Sequence, residues 1–188
     1  RPIGLTHSES GSDGGYTLFS SVRGHHASII DPQGQIVHQW HHPEGIQHVK
    51  LLANGHLLIQ TLPPADAAGR EKIGGSAGAM IELDAEGNTV WEHRDITQHH
   101  DYVRLDNGNT LYLAWELMPQ AICAQVRGGH HHDDDPELMW GDVVREIDEA
   151  GELLHEWRSW EHLDFNEEVI CPLESQKEWT HANSLEVM

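Results

Sequence analysis

Short runs of β-forming residues alternate with glycine turns along most of the chain. Three segments repeat one pattern: a β-rich run, an aspartate, a turn that ends in glycine, and a second run that ends in Trp or His. Their sequences are ASIIDPQGQIVHQW, AMIELDAEGNTVWEH and VVREIDEAGELLHEW, with glycines at 34, 87 and 151. Hairpin signals of this kind, with little helical periodicity, predict strands rather than helices.

A second hairpin type precedes two of these segments. HVKLLANGHLLIQT and DYVRLDNGNTLYLA turn at Asn54-Gly55 and Asn107-Gly108. The Asn-Gly dipeptide favours a tight hairpin because both residues accept the positive φ that such turns need. An Asn-Gly hairpin (strands A and B) followed by an Asp-x-x-Gly hairpin (strands C and D) therefore forms a repeating unit of four strands.

This repeat predicts an all-β chain, and specifically a β-propeller with four-stranded antiparallel blades. The alternative is a sandwich of similar hairpins. Residues 1–188 are interpreted as a partial propeller: an incomplete blade (16–40), two blades (47–93 and 100–157) and the first strand of the next blade (181–188). Known propellers have roughly 4–8 blades, so about three blades should not close a ring. We expect a second polypeptide, or remaining sequence, to complete it.

Predicted strand positions follow from the turns. The strands are expected near 16–21, 27–31, 36–40, 48–53, 56–61, 79–84, 88–93, 101–106, 109–115, 142–148, 152–157 and 182–187. The turns within the hairpins are minimal, whereas the connections 61–79, 114–141 and 158–180 are long. Long connections are uncommon unless they are functional or disordered. One face of the predicted disc is therefore elaborated, and a short helix is expected there at most.

Ionisable residues recur where strand A begins on the elaborated face. They are His48 in one repeat, His99, His100 and Asp101 in the next, and His181 with Asn183 in the last. Quasi-rotational symmetry would bring these positions together around the channel mouth. A single histidine there is most simply a satisfied residue at a strand end, but its recurrence in three repeats favours a functional site.

Charge and composition exclude several partners. The chain has 11 Lys and Arg against 31 Asp and Glu, a formal charge of −20. Nucleic acids and anionic membranes are unsuitable partners because binding phosphate needs clustered basic residues. No apolar run in the sequence is long enough to span a bilayer. No signal peptide is visible and the chain opens at Arg1, so a processed or trimmed N-terminus is expected.

Several other residues carry weaker signals. Cys123 and Cys171 do not make a disulfide framework; they pair or remain thiols, and we favour thiols. The His130–Asp135 run is interpreted as a solvated loop, with metal chelation as the alternative. Histidines on strands D are expected to face solvent or blade packing: His38, His93 and His155. Tryptophans expected in packing are Trp40, Trp91 and Trp157, and those expected to line a pocket are Trp115 and Trp160.

With these residues in place, the sequence resembles the bacterial arylsulfate sulfotransferase family. The matching phrases are GYTLFS (15–20), IDPQGQIVHQW (30–40), QHHDYVRLDNGNTLYLAWE (98–116), DPEL (135–138), WRSWEHL (157–163) and EWTHANS (178–184). They cover nearly the whole chain and occur in the order and approximate spacing typical of that family. The combination of HHD, LxNGNxL and AWE followed by WTHxNS is the most specific part.

The resemblance implies a propeller, usually six-bladed, that transfers a sulfuryl group from an aryl sulfate to a phenol. It implies a histidine nucleophile, no nucleotide sulfate donor, and a periplasmic or secreted location. The His-x-Asn motif of the family maps onto His181 and Asn183, which would bind sulfuryl oxygens. An upstream histidine maps onto His100, less directly His99. The nucleophilic histidine and a sulfate-binding arginine are expected further toward the C-terminus than Met188.

The residue types fit this chemistry. Imidazole and amide N–H groups can donate to sulfuryl oxygens, a neutral histidine can attack sulfur, and a second histidine can carry the phenol proton. Asp101 would orient His100 or hold it protonated. No cofactor is expected. Two alternatives stay open: a metal-dependent lyase or hydrolase with ligands from His100, Asp101, His181 and His48, and a non-catalytic propeller that serves as an interaction platform.

Overall fold

The computed structural model describes residues 7, 9, 11, 14–21, 23–64, 74–130 and 139–188. The chain forms two compact units, Arg1–Ile96 and Thr97–Met188. Strands dominate the described residues, and each of the two helices has only four residues. The chain is therefore all-β, as the hairpin pattern predicts. Neither helix has the length and apolar character that crossing a membrane would require.

The first unit contains two antiparallel sheets. One has the order β1-β2-β3, formed by β1 (Thr17–Ser20), β2 (Gly24–Ile30) and β3 (Ile36–Ile46). The other has the order β4-β5-β6-β7, formed by β4 (His48–Leu51), β5 (Leu57–Gln60), β6 (Ala79–Leu83) and β7 (Thr89–Arg94). Each sheet is a meander, in which consecutive strands are hydrogen-bonded neighbours.

The second unit is built on a sheet with the order β12-β11-β9-β8. Its strands are β8 (Gln98–Arg104), β9 (Thr110–Leu117), β11 (Trp140–Ile147) and β12 (Leu153–Arg158), and β14 (Glu178–Trp179) pairs in parallel with β11. A separate parallel pair joins β10 (Gly128–His130) to β13 (Ile170–Ser175). The short helices are α1 (Gln120–Cys123) and α2 (Ser159–His162).

Local hydrogen bonds explain why the Asp-x-x-Gly turn recurs. In the first such turn, Asp31 Oδ1 accepts the backbone N–H groups of Gln33 and Gln35, at 2.9 and 2.8 Å. Gly34 closes the turn by donating to the Asp31 carbonyl and has φ of 76°, which glycine adopts without steric cost. Asp84 and Asp148 make the corresponding bonds in the other repeats. The predicted hairpins are confirmed at all three turns.

One buried apolar cluster joins the two sheets of the first unit. Its members are Ala27, Trp40, Ile46, Leu57, Ile59, Ala79, Ile81 and Leu83. The Trp40 indole also donates from Nε1 to the backbone oxygen of Asp84, at 2.8 Å, and so links β3 to the turn after β6. Trp157 holds the equivalent place in its own repeat, six residues after the turn glycine, but is 37% exposed.

Several predicted boundaries are wrong. β3 continues to Ile46 rather than ending at 40, and β8 begins at Gln98 rather than at 101. Residues 181–188, predicted as the first strand of a further blade, form no strand. Backbone N–H groups of this segment bind carboxylate side chains instead of a neighbouring strand. Closure of the sheets into a propeller ring stays a prediction.

The long connections contain elements that the sequence pattern does not predict. β10, β13 and β14 form parallel pairs between segments far apart in sequence, so no local turn signal marks them. The helices α1 and α2 lie in the predicted connections 114–141 and 158–180, where short helices were allowed. Cys123 and Cys171 are both free thiols, as favoured. The His130–Asp135 run lies mostly outside the described residues, which include only His130.

The packing of Trp40 generates the first testable prediction. Trp40→Phe keeps an aromatic ring in the cluster but removes the indole N–H bond to Asp84 and part of the buried volume. We expect the free energy of unfolding to fall by about 1–2 kcal/mol. Urea unfolding measures this, with Trp157→Phe as the matched control at an exposed equivalent position. An equal change in both variants would contradict the assigned role of Trp40.

Candidate functional site

Four strands of the second unit bring histidines and acids together. β14 pairs with the start of β11, with Gly141 opposite Trp179, so the chain after β14 passes beside Asp142. On the other side of β11, Asp142 lies directly opposite Trp115 of β9. Side chains of directly opposite residues share one face of a sheet. β8 pairs with β9 and supplies His99 next to Trp115.

His99 is fully buried between an aromatic ring and a carboxylate. Its ring stacks on Trp115 with a centroid distance of 4.0 Å and an interplanar angle of 10°. Its Nε2 atom lies 3.2 Å from Oδ1 of Asp142, although the angle is poor for a hydrogen bond. Because stacking and burial restrict the ring, His99 presents Nε2 to Asp142 and Nδ1 to the opposite side.

A β-bulge brings His100 onto the ring of His99. In a regular strand successive side chains point to opposite faces. The register shifts between His99 and Tyr102, and His100 has φ of 47°, so this alternation is broken. Nδ1 of His99 and Nδ1 of His100 are 2.9 Å apart, within hydrogen-bond distance. The ring of His100 also lies edge-on to His181, at a centroid distance of 4.7 Å.

Two buried carboxylates hold the segment that carries His181. Asp142 Oδ2 accepts hydrogen bonds from the Thr180 hydroxyl and from the backbone N–H of Ala182, the latter at 2.7 Å. Asp101 Oδ2 accepts the backbone N–H of Leu185 at 2.9 Å. These bonds take the place of the ladder that a strand at 181–188 would have made.

Backbone strain is concentrated at this site. Among the described residues, four that are not glycine have positive φ, and three of them lie here: His100 at 47°, Thr180 at 80° and His181 at 52°. For a β-branched residue such as threonine this conformation is a genuine outlier. Strained backbone of this kind costs on the order of 1–3 kcal/mol per residue and clusters at functional sites. The two histidines that meet are therefore both held in unfavourable conformations.

The electrostatic environment keeps His100 neutral. Burial is the main cause that lowers the pKa of His100 to about 4, and the proximity of the His99 and His181 rings adds to it. At neutral pH the imidazole is therefore uncharged, which contradicts the suggestion that Asp101 holds it protonated. Asp101 accepts the backbone N–H of Tyr102 and of Leu185, and its role in orienting His100 stays a prediction.

Two further acids have shifted pKa values. Burial alone would raise the pKa of Asp142, but the contact with His99 and the donors Thr180 and Ala182 outweigh it, so the pKa lies below its usual range. Burial raises the pKa of Glu178, and nearby His181 only partly offsets this. Glu178 Oε1 lies 2.8 Å from His181 Nδ1, so this side of the His181 ring is already engaged.

The other predicted site residues have different placements. Asn183 is exposed, and its Nδ2 atom donates to the carbonyl of His181 at 3.0 Å. His48 begins β4 in the first unit, opposite Gln60, and its proximity to His100 and His181 stays a prediction. Trp115 and Trp160 are buried, at 1% and 8% exposure, and their place in the wall of a pocket stays a prediction. Trp160 packs on Gly141, where an added Cβ would lie 2.6 Å from the indole.

Sequence reasoning missed Asp142, Glu178 and Thr180. Glu178 and Thr180 both precede His181 in the EWTHANS phrase and could have been included with it. Asp142 is the one charged residue in the stretch WGDVV, and an acid among apolar neighbours is the one available signal. A buried carboxylate needs hydrogen-bond donors, so an acid at this position predicts donors from segments distant in sequence.

The described side chains do not fit a metal centre. Within the ranges that the structure covers, no group of three or more His, Cys, Asp or Glu residues is arranged to hold a metal ion. The short distance between the Nδ1 atoms of His99 and His100 is suited to a shared proton. No step of the chemistry below is therefore assigned to a metal.

Comparisons with known proteins bear on this site. Residues 18–188 match the family described as Arylsulfotransferase (ASST). No curated protein matches by sequence. A crystal structure of a protein of unknown function from Bacteroides caccae matches at 17% identity with a TM-score of 0.47. That match covers 80% of this chain and 48% of the other, so this chain spans about half the length of the solved structure.

The neutral state of His100 predicts a pH dependence of stability. Its folded-state pKa is about 4, below the ordinary 6.5. Between these values the unfolded chain binds a proton here and the folded chain does not, so this group destabilises the fold as pH falls from about 6.5 to about 4. His100→Asn removes the titration while tolerating the left-handed backbone. The variant should lose less Tm than the wild type between neutral pH and about pH 5.

The matched control for this measurement is His155→Asn, an exposed histidine on β12. We expect its loss of Tm on acidification to follow that of the wild type. If His100→Asn and the wild type lose the same Tm, the burial of a neutral His100 is wrong.

Proposed function

Because the chain belongs to the arylsulfotransferase family, we propose that the complete protein transfers a sulfuryl group from an aryl sulfate to a phenol. The sulfur–oxygen bond of the donor breaks, its phenol is released, and the acceptor oxygen forms a new bond to sulfur. The proton of the acceptor phenol is removed, and the released phenolate takes up a proton, so no nucleotide or redox partner is needed. A small sulfated or phenolic aromatic molecule is the expected substrate.

His100 is assigned the role of the base that accepts the proton of the acceptor phenol. Its pKa of about 4 leaves the imidazole neutral at working pH, so it can accept a proton rather than having to lose one first. Nδ1 is engaged with His99 at 2.9 Å, which directs Nε2 to the reaction. A base is most useful as the acceptor oxygen attacks sulfur, because the phenol becomes acidic at that moment.

His181 is assigned the role of binding the oxygens of the sulfuryl group during transfer. Its Nδ1 atom faces Glu178 at 2.8 Å, which leaves Nε2 for a ligand. Nε2 carries an N–H when the proton shared with Glu178 lies on the carboxyl group or when the ring holds both protons, and this N–H can then donate to a sulfuryl oxygen as negative charge develops there. Asn183 lies two residues further and, through its amide bond to the His181 carbonyl, stabilises the turn that presents the ring.

A covalent intermediate fits this division of roles. In the first step a histidine nitrogen attacks sulfur and the aryl oxygen leaves; in the second the phenol oxygen attacks and the sulfur–nitrogen bond breaks. The nucleophile implied by the family resemblance is a histidine other than His100 and His181. These two residues would therefore serve both steps, one by moving protons and the other by binding sulfuryl oxygens.

A single observation carries the proposal. Two histidines from segments 81 residues apart, His100 and His181, meet with ring centroids at 4.7 Å, each on a strained left-handed backbone. Stability alone does not require this, because a relaxed segment could have filled the same space. The matching phrases HHD and THANS of the family resemblance contain both residues.

Activity of the complete gene product tests the proposal. With para-nitrophenyl sulfate as donor and phenol as acceptor, His100→Asn and His181→Asn should each lower kcat by about 100-fold or more, as expected for loss of an acid–base or charge-stabilising group. His155→Asn is the control and should retain wild-type turnover. Continuous turnover should require the acceptor; without it, release of nitrophenol should stop at about one equivalent per enzyme, once the histidine nucleophile carries the sulfuryl group.

A chelator separates this reaction from the metal-dependent alternative. Sulfuryl transfer by imidazoles should persist after dialysis against a strong chelator, whereas a metal-dependent lyase or hydrolase would lose activity and recover it with added metal. Full activity of both histidine variants, or acceptor-independent release of nitrophenol that needs a metal, would contradict the proposal.

A further inference from the structure

The Asp142 carboxylate faces two different catalytic segments at once. One oxygen, Oδ1, lies 3.2 Å from Nε2 of His99 on β8. The other, Oδ2, accepts the Thr180 hydroxyl and the Ala182 backbone N–H on either side of His181. The residue is 3% exposed and belongs to the middle of the sheet, so its orientation is fixed by the strand rather than by a loop.

We propose that Asp142 is a positioning residue that sets the tautomers of His99 and His100, so that Nε2 of His100 is unprotonated and accepts the phenol proton. The part that concerns the reaction rests on the proposed sulfuryl transfer. The part that concerns the tautomers rests only on the arrangement of Asp142, His99 and His100.

The tautomers follow from the order of donors and acceptors. A carboxylate oxygen at 3.2 Å would repel a lone pair on His99 Nε2, so this nitrogen carries the N–H even though the angle is imperfect. In this proposal His99 holds a single proton, on Nε2, and its lone pair on Nδ1 faces the Nδ1 atom of His100 at 2.9 Å. His100 must donate its N–H there, which leaves Nε2 as the acceptor.

The surroundings prevent His99 from reversing this order. Trp115 stacks flat against the ring at 4.0 Å, and the side chain has no exposed surface. A flipped ring would place carbon against Asp142 and leave its Oδ1 atom without a facing N–H. When His100 takes the phenol proton, its positive charge is stabilised through His99 toward the Asp142 carboxylate.

Asp142→Asn should reverse both tautomers without changing the shape of the site. The amide oxygen would keep the donors Thr180 and Ala182, so the amide NH2 would face His99 Nε2 and require a lone pair there. His99 would then donate from Nδ1, and His100 would hold its proton on Nε2, where it cannot accept another. The comparable exchange beside the histidine of serine-protease triads lowers kcat by roughly 10⁴-fold through the wrong tautomer.

Nitrogen chemical shifts of the histidine rings test this on the complete gene product, labelled with ¹⁵N-histidine. His100 is identified by the signals that disappear in His100→Asn. In the wild type we expect Nδ1 protonated and Nε2 unprotonated, and in Asp142→Asn the reverse. Turnover of para-nitrophenyl sulfate by Asp142→Asn should show kcat lowered by about 100-fold or more, with KM nearly unchanged.

Two control variants separate positioning from general support. Thr180→Val is nearly isosteric and removes one hydrogen bond to Oδ2 of Asp142. It does not change Oδ1, which faces His99, so this variant should keep the wild-type tautomers. Asp148→Asn removes one negative charge from the turn between β11 and β12 and should also keep them, with wild-type turnover. A reversal of the tautomers in either control would overturn the inference.

The outcomes distinguish the inference from the proposed function. A wild-type His100 protonated on Nε2 overturns the inference even if sulfuryl transfer is found, and this measurement stands should Asp142→Asn fail to fold. The expected tautomers in a protein that transfers no sulfuryl group support the positioning role of Asp142 and contradict only the proposed function.

Discussion

Removing a carboxylate from water costs several kcal/mol unless hydrogen bonds and nearby N–H groups compensate. Asp142 is nearly fully buried, and its compensation comes from His99, Thr180 and Ala182. None of these groups is a neighbour of Asp142 in sequence. The burial of this one acid therefore requires His99 to reach it from β8, across β9, and the segment after β14 to lie beside β11. That requirement brings His100 and His181 into contact.

The same carboxylate helps to maintain the strained backbone of the site. Left-handed conformations at Thr180 and His181 persist only where surrounding bonds over-determine them. Oδ2 of Asp142 binds on both sides of His181, and Asp101 holds the chain again at Leu185. The result is a rigid presentation of His181, with Glu178 at its Nδ1 atom and the ring of His100 edge-on to its own. Preorganised donors of this kind suit a reaction in which charge develops on oxygens.

Local patterns in the sequence predicted the strands and turns well. The Asp-x-x-Gly turns could be read directly, because the aspartate side chain binds backbone N–H groups two and four residues away. The pairing of β10 with β13 could not be predicted from the sequence, because it joins segments about 40 residues apart through an irregular parallel register. Residues 181–188 have the composition of a strand but bind side chains of Asp142 and Asp101 instead.

The candidate site was predicted only in part, because some of its contacts also join residues far apart in sequence. Recurrence at the start of strand A selected His99, His100 and His181, and these three do lie together. Recurrence could not predict the role of Asp142, because its partners are 38 to 43 residues away. It also could not predict the bulge that turns His100 onto His99. Of the two roles predicted for Asp101, holding His100 protonated is contradicted by the lowered pKa of His100, and orienting His100 stays a prediction.

The most direct test of the account is a crystal structure of the complete protein with an aryl sulfonate or sulfamate that resembles the donor but is not turned over. We expect sulfonyl oxygens within about 3 Å of Nε2 of His181, and the aryl oxygen or acceptor position within the same distance of His100. A ligand bound elsewhere, or a structure in which His100 and His181 lie apart, would contradict the claim that these histidines form one sulfuryl-transfer site.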